Sequence, residues 1–227
     1  MEISWFGETC VRLRGREGVV AADAYRTVVG PTGRGLTADI ATYSHADPDP
    51  GRVTGRGSKA VHVAGNGIVR PTSLEPAFGI DAPGEYEVHE VLITGVRTFR
   101  DDVRGRDRGM NTVFVTELDG IHTAHLGDVG HLLTEDQLGE IGSIHVACVS
   151  IGSTLNAAKT AELVAQLDTH LVVPLLVGDE TAANAELDRF LKEMGVADVQ
   201  PIAKLQVSIS TVPDEPTVIV LESRGKT

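Results

Sequence analysis

With 227 residues, 41% of them hydrophobic and 23% charged, the chain is long enough to bury a substantial core, and no run reaches the eighteen or so apolar residues of a membrane span. A formal net charge of −12 excludes a general nucleic-acid binder, which would present a basic face. The charge is uneven: residues 1–109 hold 14 basic against 15 acidic side chains, residues 110–227 hold 6 against 17. The two cysteines, Cys10 and Cys148, sit in strand-like runs without Cys-x-x-Cys spacing, which points to core packing rather than redox or metal chemistry. Met1-Glu2-Ile3-Ser4 carries no basic stretch ahead of an apolar one, so the expectation is a cytoplasmic protein with no membrane partner.

In chain order, residues 3–7 and 10–13 predict two strands around a turn, with Cys10, Arg12 and Arg14 alternating with Val11 and Leu13. Residues 19–23 follow as a third strand. Residues 26–37, rich in glycine and holding Pro31, read as a loop, and 38–41 as a buried strand. A short strand at 61–64 would carry His62 as a packed residue. Turns and strands recur through 82–88, 91–96 and 113–115. Thr134, with Gln137 three residues on, predicts a capping box opening a short helix that ends near Gly142. Residues 144–151 form a β-branched buried strand. Asn156 or Thr154 caps a helix through Leu167 whose apolar face holds Ala161, Val164, Ala165 and Leu167. A strand at 170–176 precedes a helix over 180–194, with Leu187, Leu191 and Met194 in one stripe and Gly195 at its end. Residues 218–221 give a closing strand. No repeat or linker interrupts the chain.

The chemistry gathers at Thr42-Tyr43-Ser44-His45-Ala46-Asp47-Pro48-Asp49-Pro50. This stretch resembles the signature loop of the metallo-β-lactamase superfamily, Thr/Ser-His-x-His-x-Asp-His. There the two histidines bind one zinc, and the Asp-His pair serves a second metal and the activated water. His45 and Asp49 match; Asp47 and Pro50 replace two histidines. Asp23 stands where the family has an Asp that braces this loop. Pro83-Gly84-Glu85-Tyr86-Glu87-Val88 looks like a branch related to L-ascorbate-6-phosphate lactonase, whose members are mostly known only as metal-dependent hydrolases. The branch continues with Thr98-Phe99 and a metal-binding His, replaced here by Arg100, then with Gly109-Met110-Asn111-Thr112. His125-Leu126-Gly127-Asp128-Val129-Gly130-His131 resembles its motif in which the Asp bridges two metals; His122, His125 and His131 are metal candidates by residue type, but alternation puts His125 on the face opposite Ala124 and Leu126 and favours a hydrogen-bonded structural histidine. Leu176 replaces the last metal-binding His. The resemblance runs over residues 2–221, which makes residues 1–227 a single expected domain, and implies an α/β fold, the four-layer αββα sandwich.

On that resemblance the remaining metal set is His45, Asp49 and Asp128. No cofactor is expected, and the only alternative is a single weakly bound divalent ion, Mn, Mg or Zn. Asp47, Asp49 and Asp128 would repel one another without cations, and Arg100 offers a permanent charge with a planar fork. An ion pair of Arg100 with Asp128 or Asp49 is therefore expected, with Asp47, Arg100 and Asp128 as ligand-binding residues. Asp49-Pro50 also reads as an ordinary helix N-cap. Arg97, Arg100, Arg104, Arg106 and Arg108 are either a solvated run balanced by Asp101, Asp102 and Asp107 or a cationic rim for a small anionic molecule. Three functions follow: a hydrolase homologue without catalysis that binds a small molecule or a protein; a mononuclear hydrolase of a phosphorylated or lactone-type molecule, with Asp49 positioning water; and a structural homo-oligomer subunit.

Overall fold

A computed structural model describes residues 1–46, 68–197 and 199–224. Asp47, Asp49, Pro50, His62 and the strand expected at 61–64 lie outside the described residues. The chain opens with three antiparallel strands, β1 (Glu2–Gly7), β2 (Cys10–Arg14) and β3 (Val19–Ala22). Two parallel strands follow, β4 (Ile40–Thr42) and β5 (Phe78–Ile80). A second sheet holds β6 (Gly84–Val88), β7 (Val91–Phe99), β8 (Met110–Leu118), β9 (Ile121–His125), β10 (Val146–Ile151) and β11 (Leu171–Leu176). The first four of these run antiparallel and the last three parallel. Near the C-terminus, β12 (Leu205–Gln206) pairs with β1, and β13 (Thr217–Val218) pairs with β11. The orders are β12-β1-β2-β3-β4-β5 and β13-β11-β10-β9-β8-β7-β6.

Strand alternation sorts the apolar side chains into layers. Ile3, Val11, Leu13, Ile93, Phe114, Cys148 and Val173 fill the space between the sheets. Val96, Ala124, Ala147, Val149 and Val172 face the other way, onto α2 (Glu135–Ile141), α3 (Ala157–Leu167) and α4 (Glu180–Glu193). Tyr25, Val29, Leu36 and Tyr43 cover the outer face of the first sheet together with α1 (Arg26–Val29). The result is the expected αββα order. Cys10 and Cys148 are buried free thiols, and burial pushes the Cys148 thiol up to about 12.

Several elements depart from the expectations. The supposed loop at 26–37 contains α1 and a 3₁₀ turn over Gly33–Gly35, because Tyr25 accepts the Val28 and Val29 amides and starts a turn that Gly30 ends. On α3 the buried positions are Ala157, Thr160, Leu163, Val164 and Leu167, whereas Ala165 is exposed, since this helix packs on both α4 and β10. On α4 Phe190 is fully buried beside Ala183 and Leu187, and Leu191 is only partly so. The strand expected at 218–221 is regular only as β13 and continues as a single bridge, Ile202 to Leu221. No described helix is long and apolar enough to cross a membrane.

Candidate functional site

The carboxyl ends of β3, β4, β9, β10 and β11 meet with the end of β7 at one rim of the sandwich. Asp23, fully buried with φ +50°, closes β3 and braces the next loop. Its Oδ1 accepts the Ser44 amide at 2.7 Å, and its Oδ2 accepts the Ser44 hydroxyl at 2.6 Å. Tyr25 adds a second brace by donating to His45 O at 2.6 Å. The Thr112 amide donates to Ser44 O at 2.7 Å, so the same loop is tied to the opposite sheet. With the Ser44 proton on Asp23, His45 Nδ1 donates to Ser44 Oγ at 2.7 Å, and the neutral ring keeps its lone pair on Nε2. Burial lowers the His45 pKa; Asp23 pulls the other way, and Arg100 adds to the fall.

Asp128 follows β9. Asn111 fixes it: the Asn111 side-chain NH₂ donates to Leu126 O and Thr98 Oγ1, while its oxygen accepts the Asp128 amide at 3.0 Å. This is the job of the Asn in the Gly-Met-Asn-Thr stretch. Asp128 Oδ2 takes Arg100 Nε at 2.7 Å and Nη2 at 2.6 Å, with Arg108 Nη2 at 3.5 Å. The other oxygen, Oδ1, accepts the Ser153 hydroxyl from the loop after β10. The Asp128 side chain is 4% exposed and that of Arg100 19%, so the guanidinium lies over the carboxylate and closes it off.

The arginine run is not simply a solvated loop balanced by carboxylates. Asp101 is buried and accepts the amides of Val103, Gly105, Asp107 and Arg108 at 2.6–3.0 Å. These bonds hold the Asp101 carboxyl below its usual pKa against the upward push of burial. Asp101 therefore folds the loop that delivers Arg100 and Arg108, rather than neutralising them. His125 is hydrogen-bonded as expected of a structural histidine, Nε2 to Thr9 O at 2.7 Å, and His131 likewise accepts the Phe99 amide at Nε2 while bonding Leu132 O through Nδ1.

A cleft of about 300 Å³ opens beside Arg100, lined among others by His45, Asp81, Arg97, Arg108 and Met110. Of the residues expected at the site, His45, Arg100 and Asp128 converge. Leu176 is a partly buried apolar residue packed between two core layers. Ser153 is a member of the site that sequence reasoning missed; the signal available was its place just after a buried parallel strand neighbouring Asp128. The metal implied by the resemblance does not fit the described residues. Both Asp128 oxygens are already taken by Arg100 and Ser153, so that although His45 Nε2 keeps a free lone pair, no three His, Cys, Asp or Glu side chains among the described residues are grouped to hold an ion.

Residues 2–176 match the family described as the beta-lactamase superfamily domain. The crystal structure of a candidate Zn-dependent hydrolase of the metallo-beta-lactamase superfamily from Thermotoga maritima is 27% identical, with a TM-score of 0.69 over 98% of this chain and 99% of the other. Igni18, a metallo hydrolase from Ignicoccus hospitalis, is 17% identical with a TM-score of 0.58, covering 91% and 99% of the two chains. An isothiocyanate hydrolase from Delia radicum gut bacteria gives 14% and 0.58, covering 92% and 99%. The last two bear on the fold alone. No curated protein sequence matches the chain.

Proposed function

The chain belongs to the metallo-β-lactamase superfamily, and from that premise we propose that it binds a small anionic molecule in the rim cleft and does not work as a dinuclear metal hydrolase. One observation carries the reading: three arginines, Arg97, Arg100 and Arg108, line the cleft together with His45. Arg100 is committed to Asp128, Arg97 makes no ion pair with a described residue, and Arg108, 44% exposed, holds Asp128 only through a long 3.5 Å contact. Planar forks of this kind bind carboxylate or phosphate oxygens two at a time. Asp81 is the one acidic side chain among the described lining residues, so the cleft favours an anion. Met110, 49% exposed, gives an apolar contact for the ligand's body.

Two measurements on the purified protein test this. Elemental analysis after growth with added Zn²⁺, Mn²⁺ and Fe²⁺ is expected to find less than about a tenth of an equivalent of metal. Calorimetric titration with inorganic phosphate and with citrate is expected to show binding, weakened at least about fivefold by Arg108→Ala, as for loss of one charge-assisted hydrogen bond. Near one equivalent of metal, lost on Asp128→Asn, would overturn the reading. It would favour a mononuclear hydrolase, with Asp49 positioning the water.

A further inference from the structure

We infer that Arg100 is the cation of this site, a guanidinium built into the chain that occupies the place on Asp128 Oδ2 a divalent ion would need. The inference rests on the reading above that the protein is not a metal hydrolase, and it goes further in assigning what replaces the metal.

The Asp128 carboxylate is bonded on both oxygens by the protein itself. Asp128 Oδ2 receives Nε and Nη2 of one guanidinium at 2.7 and 2.6 Å, and the opposite carboxylate oxygen receives the Ser153 hydroxyl. The backbone on both sides of the pair is fixed. Arg100 O accepts Thr154 Oγ1 at 3.1 Å, the Arg100 amide donates to Gly109 O at 3.1 Å, and Gly130 N donates to Phe99 O at 2.9 Å. A cation and the docked Arg100 are thus mutually exclusive at Oδ2. Unlike a metal, the guanidinium cannot dissociate, and unlike a histidine it cannot lose its proton in the physiological range. A carboxylate this far from water is unstable alone, so removing its partner should be felt by the whole fold.

The test is thermal unfolding of Arg100→Ala, Asp128→Asn and the double variant, each with and without millimolar guanidinium chloride or Mn²⁺. Arg100→Ala should lower Tm by about 5 °C or more. Guanidinium or Mn²⁺ should restore part of that loss, and Mn²⁺ should bind Arg100→Ala but not the wild type. Asp128→Asn in the Arg100→Ala background should recover stability and abolish the rescue. If Arg100→Ala proves insoluble while the double variant folds, the inference also stands. It is overturned if Arg100→Ala melts like the wild type, if the two substitutions are additive, or if both variants fail to fold. Stoichiometric metal in the wild type is a different result: it would overturn the binding-protein reading itself.

Discussion

Gly130 has no room for a side chain. A Cβ there would lie 2.1 Å from Arg100 O and 2.7 Å from the Asp101 amide, both backbone atoms that cannot swing aside. Gly127 is constrained as well, with φ +62° and a Cβ position 2.4 Å from that of Ser44. These two glycines let the Asp128 loop press against the loops carrying Arg100 and His45. Gly130→Ala should therefore destabilise the protein by about 1–3 kcal/mol, the usual effect of overpacking, as read from urea unfolding. A midpoint unchanged from wild type would mean the Arg100 backbone is softer than its hydrogen bonds imply. At this scale the sequence was informative where a motif or an alternation applied. His125 fell on the face opposite Ala124, and Arg100 stood out as a charge in an unexpected place. Ser153 was legible only as the residue following a buried strand; its contact with Asp128 joins two loops 25 residues apart and follows no period.

The elements divide in the same way, between local and distant determinants. The start of α2 could be read from four residues, since Thr134 and Gln137 close a reciprocal capping box. Thr134→Ala should cost about 1 kcal/mol in unfolding free energy, with little effect on anion binding. If calorimetry instead shows a large loss of affinity, α2 is coupled to the rim, through Gln137 Nε2 on Arg97 O at 2.8 Å. The stripe on α4 was only half legible. Leu187 is buried, but the ring that fills the space is Phe190, and helical periodicity alone does not choose between Phe190 and Leu191 as the inner edge of a stripe. The two-residue β12 carries no local signal because its partner, β1, lies some two hundred residues away. Asp47 and Asp49, which the motif singles out most clearly, lie outside the described residues, so the sequence alone speaks for them.

The rim brings His45, Arg100 and Asp128 together only while the two sheets keep their spacing, and at the opposite rim ionic contacts join the two sheets. Asp119 and Gly120, both with positive φ, make the tight turn between β8 and β9. From the second sheet, the Asp119 carboxylate meets the Met1 amine at 2.8 Å and Arg16 Nε at 2.6 Å, both on the first. Its amide donates in return to Glu17 Oε2 at 3.0 Å. Hydrogen bonds from the Met1 amine and Arg16 hold the Asp119 pKa at about 2, against 3.8 without them. The folded state thus binds this proton less readily than the unfolded chain, so the contribution to stability is complete above about pH 4–5 and is lost as pH falls towards about 2. Because Arg16 is 84% exposed and only Asp119, at 17%, and the Met1 amine are shielded, solvent screens much of the pairing and its worth should be about 1 kcal/mol. Asp119→Asn should accordingly lower Tm at pH 7 by a few degrees, and the gap to wild type should narrow below pH 4 and close near pH 2. Raised salt should narrow it at pH 7 too. A gap that persists unchanged at pH 2 would place the Asn defect in the turn itself. The spacing of the sheets would then rest on the apolar layer between them, with the ion pairs as bystanders.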